Sequence, residues 1–204
     1  MREWMEKSGN APEAAYSLIP EFVQQLPNNL MLHNLLQGHL LYRIFYYDAS
    51  PFAGKRKKPL GGTDKNFADS DEFHKSQDML RALESMPYVA VRRGKSQFRG
   101  WEIKPQKLLS KSDISICADD LLPRVEQKGV DMCVGLDIAA LSLKQFADVL
   151  VLVSGDSDFV PALKFARTEG RQIILFTLGH RVSRDLKVHA DVCVEGTLGD
   201  IMAS

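Results

Sequence analysis

The sequence predicts an α/β fold with a mainly parallel central sheet and a helical N-terminal segment. Three observations carry this expectation. The C-terminal half alternates short apolar runs with helix-periodic segments, the pattern of right-handed βαβ units. The run Val149 to Val153 is apolar at every position, as a strand covered on both faces must be. The first forty residues place Leu, Phe, Val and Met at three- and four-residue spacings, the period of a helix with one apolar side.

Taken in order, AAYSLIPEFVQQL and NNLMLHNLLQGHL read as helices punctuated by Pro20, Pro27 and Gly38. The β-formers of 40-LLYRIFYYD-48 predict a strand ending in a carboxylate. Residues 49–69 concentrate Gly, Pro, Lys and Asp without periodicity and read as a long loop, including the basic run 55-KRKK-58. A helix is expected over 70–85, with Phe73, Met79, Leu80 and Leu83 on one side, then a strand at 88–94. Residues 95–111 interleave cations with Phe98 and Trp101 and read as a hairpin or loop. Residues 118–129 lead into a helix at 131–146, followed by a strand at 148–153, a helix at 159–169, a strand at 171–177, a short helix at 182–188 and a strand at 190–194. The expected organisation is a helical segment at 1–39, a domain at 40–196 and a tail at 197–204.

Twenty-six basic residues balance twenty-six acidic ones, so the whole molecule has no bulk attraction for a polyanion and would hold one only on a local patch. Three distant cysteines, Cys117, Cys133 and Cys193, show no metal-ligand spacing and read as buried free thiols. No apolar run reaches the ~20 residues of a membrane helix, and the N-terminus has no apolar core of a secretory signal. A cytoplasmic protein is expected.

The chemistry concentrates in 154-SGDSDFVP-161. Ligand sites of such sheets gather at the carboxyl ends of the strands, and Asp156 and Asp158 leave such an end, with Gly155 permitting a tight exit. Asp158 precedes Phe159-Val160-Pro161, a helix start, so it reads either as an N-cap or as part of a site. Asp156 has no such alternative. Two carboxylates one residue apart raise each other's pKa unless they share a cation, and oxygen-only donors suit Mg²⁺ or Mn²⁺. Asp131, in 128-KGVD-131, starts a helix and is again a cap or a ligand; Asp137 lies about 240° further round that helix and off its face.

KGVD, a helix, an apolar strand, SGDSDFVP, a helix and 170-GRQIILFTLGHRVSRDLKVHADVCV-194 together resemble the NYN domain family, in its LabA-like (DUF88) branch of the PIN-like nucleases. The strand 41-LYRIFYYDAS-50 and the RRG at 92–94 match the same branch. The resemblance implies a PIN-like three-layer α/β/α sandwich and a metal-dependent ribonuclease. It places Asp131, Asp156 and Asp158 on the family's acidic positions, with Asp137 as a further Asp holding Mg²⁺ or Mn²⁺. Ser154 and Ser157 fall beside the acids, where substrate would bind. One departure stands out: the family's opening strand, of the form hydrophobic-Asp-Gly-x-Asn, is not found before Leu40. A shortened N-terminus, a divergent member and an acid supplied by a partner chain or second copy would each account for it; a divergent member would be an RNA-binding or regulatory module without catalysis.

Arg92, Arg93, Lys95, Arg99, Trp101 and Lys104 form the best candidate grip on RNA, because cations and aromatics together can hold the backbone and stack the bases of a single strand. Arg181 follows the strand 171–177 and could meet a substrate phosphate, whereas Ser183 reads as a helix cap.

Overall fold

The computed structural model of the chain describes residues 12–28, 30–109 and 114–196. The expected tail at 197–204 and the first residues of the helical segment lie outside them. The chain forms two compact units: residues 1–47, 79–92 and 131–204, and residues 48–78 and 93–130. Of the four chain boundaries between them, strand β1 (Ile44–Ser50) crosses the first and strand β4 (Val89–Ile103) the third.

The first unit contains helices α1 (Pro12–Gln25) and α2 (Leu30–Leu35) and the end of α3 (Asp71–Glu84). It continues as α5 (Val130–Leu143), β6 (Val149–Val153), α6 (Val160–Thr168), β7 (Gln172–Phe176), α7 (Arg184–Val188) and β8 (Val192–Val194). Strands β6, β7 and β8 pair in parallel in that order, with Val149 opposite Gln172 and Ile174 opposite Val192. Successive strand residues point to opposite faces, and two cores follow. Ile174 and Phe176 join Ile19, Phe22 and Val23 of α1 and Met79, Leu80 and Leu83 of α3. Ile173 and Leu175 join Val134 and Ile138 of α5, Leu163 and Ala166 of α6 and Leu186 of α7. Helices thus cover both faces of this sheet, the α/β/α layering expected. A fully buried side chain such as Leu163 contributes about 1.5–3 kcal/mol through this burial.

The second unit is antiparallel. Strands β2 (Lys55–Lys57) and β3 (Asp64–Asn66) pair with Lys55 opposite Asn66 and Lys57 opposite Asp64. Strand β4 pairs with β5 (Leu121–Lys128), from Lys95 opposite Lys128 to Ile103 opposite Leu121, with a bulge between Phe98 and Gly100. A short helix α4 (Pro105–Leu108) lies between them in sequence. The rings of Phe52, Phe67, Phe98 and Trp101 pack on one another with centroids 5.2–6.4 Å apart.

Several expectations need correction. The loop at 49–69 holds the β2–β3 hairpin, whose exposed cations and Gly-rich turn conceal its strands. The strand expected to stop at 94 continues to Ile103, and residues 121–128 are its partner strand instead of a helix lead-in. The pairing is parallel in β6–β8 but antiparallel in β2–β3 and β4–β5, so the described sheets are mixed, with β1, β4 and β5 adjacent in that order. Strand β6, read as central, sits at one end of its three-stranded sheet, and its residues are half-buried. The cysteines are free, but Cys117 is exposed and none is fully buried. Among the described residues no helix is long and apolar enough to cross a membrane.

Candidate active site

The turn after β6 is built by its own side chains. Ser154 Oγ accepts the Asp156 backbone N–H at 3.1 Å, and Asp156 Oδ1 accepts that of Asp158 at 2.9 Å. Asp156 is therefore the N-cap of a 3₁₀ turn, Ser157–Phe159, that leads into α6. The sequence left Asp158 open as a cap or a site residue and gave Asp156 no capping role; in the structure Asp156 is the cap, and Asp158 lies inside the turn with its N–H satisfied by the residue two positions earlier. Gly155 has no positive φ, so hydrogen bonding and not glycine freedom shapes the exit. Asp156, Ser157 and Asp158 are exposed, while Phe159 and Val160 behind them are buried. The turn therefore presents carboxylates to solvent from a fixed apolar base.

Asp131 sits in the first turn of α5, one residue inside it, and is exposed. The residue that lets the chain turn from β5 into α5 is Gly129, at φ +81°, a conformation that disfavours side chains. Asp137, two turns along, is half-buried and already engaged: Arg92 Nε donates to its Oδ2 at 2.8 Å and Tyr47 Oη to the same oxygen at 3.1 Å. Arg92 also lies 5.0 Å from the Phe45 ring centroid. Burial, then the negative charge of Asp137, raises the Tyr47 phenol far above its ordinary range. The hydrogen bond to Asp137 raises the Arg92 guanidinium further still. These three groups form a charge-balanced internal contact, so neither Asp137 as a ligand nor Arg92 as a substrate contact is open in the way expected from sequence. Tyr47 was not singled out in the sequence; its place at the end of an apolar β run hid its polar role.

Arg93 and Lys95 belong to the second unit and are exposed, as is Arg181 in the first. Ser183 caps α7, its Oγ accepting the Leu186 N–H at 3.2 Å, as expected. A shallow hollow lined by Arg167, Gly170, Arg171, Gln172 and Asp191 lies at the start of β7, the end of the sheet away from the acids, and is closed by an Arg167–Asp191 ion pair of 3.1 Å.

The donor set at the turn is oxygen-only, the chemistry that hard divalent cations take. Among the described residues, however, no three His, Cys, Asp or Glu side chains converge as a metal-holding group. The turn thus fits an ion bound by one or two carboxylates and completed by water and phosphate oxygens, not a closed protein cage.

Residues 37–196 match the family model described as the NYN domain. The chain belongs to the NYN domain family. NYN domains are PIN-like α/β folds and are typically metal-dependent ribonucleases acting on RNA, which makes a nuclease-type hydrolase the family-level reading of this chain. Searches of curated proteins and of solved structures returned no match.

Proposed function

We propose that this NYN domain is a cytoplasmic, LabA-like ribonuclease that hydrolyses RNA phosphodiesters with Mg²⁺ or Mn²⁺. Asp156, with Asp158 or Asp131 as a second carboxylate, would hold the ion, which would supply an activated water and charge stabilisation at phosphorus. The supporting observation is the pair of exposed carboxylates on a rigid turn at the carboxyl end of a parallel strand. The buried Phe159 base and the Ser154 and Asp156 hydrogen bonds hold the turn in one conformation. Ser157 stands between the acids, where its hydroxyl can orient a phosphate.

The test is cleavage of a labelled single-stranded RNA in Mg²⁺, Mn²⁺ or EDTA, with Asp156→Asn in parallel. Asn caps a turn as well as Asp does, so the variant keeps its fold. Its cleavage rate should fall about a hundredfold or more, the loss typical of removing one group that stabilises transition-state charge. An unchanged rate would sink the assignment.

The engagement of Asp137 by Arg92 and Tyr47 favours a second reading, an RNA-binding module without turnover. That reading expects salt-sensitive RNA binding with no cleavage in any metal. Cleavage that disappears in Asp156→Asn would refute it.

A further inference from the structure

The interleaving of cations and aromatics in 95–111 dissolves once the register of β4 and β5 is known. In the second unit, Lys95 pairs with Lys128, Gln97 with Glu126, and Gly100 with Arg124. Alternate residues of a strand share a face, so Lys95, Gln97, Arg124, Glu126 and Lys128 lie on one side. Arg99, the extra residue at the bulge, reaches the same side, where its Nε donates to Glu126 Oε2 at 2.8 Å. Phe98 and Trp101 are on the other side. There they pack on Phe52 and Phe67, and Trp101 Nε1 donates to the Lys57 carbonyl at 3.0 Å. The rings are spent on the unit's own packing and are not arranged as a platform for bases.

What remains outward is an exposed strand face with a cation excess. Glu126 is met by three cations, Arg99 at 2.8 Å, Arg124 at 2.8 Å and Lys128 at 3.4 Å. Hydrogen bonds from Arg99 and then Lys128 lower its pKa. Lys95 stands directly across from Lys128, an arrangement of like charges that costs stability in an antiparallel pair. Glu102, opposite Leu122, lies on the same side, so two acids share it with four cations, two of which are opposed, an arrangement that still favours an incoming polyanion. The unit as a whole carries 14 basic against 11 acidic residues.

We infer that the outward face of the β4–β5 hairpin binds the phosphate backbone of a nucleic-acid strand, through Lys95, Arg99, Arg124 and Lys128. The inference takes its ligand class from the ribonuclease reading above and adds where the strand is held. Because the face offers cations without exposed rings, it grips by charge, is sensitive to salt and does not read sequence.

The test is fluorescence-anisotropy titration of a labelled oligouridylate and the matching deoxy strand, at several salt concentrations and in EDTA, so that hydrolysis plays no part. The full chain is compared with Lys95→Gln and with Lys95→Gln/Lys128→Gln. Each cation removed should weaken binding and reduce the slope of log affinity against log salt by about 0.7. Relief of the opposed charges should leave the melting temperature equal or higher, a combination that a purely structural role for these lysines would not produce. Both strands should bind, since a phosphate grip does not depend on the 2′-hydroxyl. Unchanged affinity and slope in the double variant would overturn the inference, as would binding confined to the ribo strand. Loss of binding here with cleavage absent in every metal would overturn only the hydrolytic reading.

Discussion

The two units of this protein solve opposite problems. The first is a parallel sheet packed on both faces by helices, and its alternate strand residues feed two apolar cores. The second is a set of antiparallel hairpins around four aromatic rings, with exposed cations on its strands. Charge divides along the same line: the first unit has 15 acidic and 12 basic residues, the second 11 and 14. The zero net charge of the chain conceals this division. Whole-molecule neutrality therefore argues against bulk attraction for a polyanion, yet leaves room for acids that hold a cation in one unit and cations that hold a strand in the other.

The largest contrast to test is in packing. Phe176 is fully buried in the first unit, and Phe176→Ala should cost about 3–5 kcal/mol in chemical denaturation. Phe67→Ala should cost less, because the rings around it are partly exposed and can close over the space. Equal losses would break the distinction between a deep core and a surface cluster.

Smaller in effect is the internal contact of the first unit. Asp137→Ala removes the acceptor of the half-buried Tyr47 hydroxyl and should destabilise by about 1–3 kcal/mol. It should also return the Tyr47 phenol toward its ordinary range in an ultraviolet pH titration, since the Asp137 charge helps raise it. An unmoved phenol with unchanged stability would release Asp137 for a role at the metal.

The smallest effect is expected at Asp120 of the second unit. The Cys117 backbone N–H and thiol, then Lys107, hold its carboxyl down to about 2. A depressed carboxylate contributes stability that is present above its unfolded pKa, near 3.9, and is lost as pH falls toward the folded value. Asp120→Asn should lower thermal stability slightly at neutral pH, where this contribution is present, flatten it between about pH 4 and pH 2, and converge on the parent below that window. A variant that follows the parent over that window would remove Asp120 from the acid limb.

Legibility differed between the units for the same reason their architectures differ. Helices α3, α5, α6 and α7 and strands β6, β7 and β8 were readable to within a few residues, because an apolar period of 3.6 or an unbroken apolar run is a local property. The KRKK hairpin and the β5 strand were not. Their residues are exposed and charged, and what makes them strands is a partner elsewhere in the chain, such as Val125 opposite Phe98.

The sequence by itself determined the α/β class, the SGDSD turn after an apolar strand, and the membership of its acids in one chemical type. Those features depend on neighbours along the chain. Tertiary structure alone decided that Asp156 and not Asp158 caps the turn, that Arg92 is bound to Asp137 forty-five residues away, and that Phe98 and Arg99 serve opposite sides of one hairpin. A side chain's charge is written in the sequence, but its partner and the face it occupies depend on strand register and packing between distant segments.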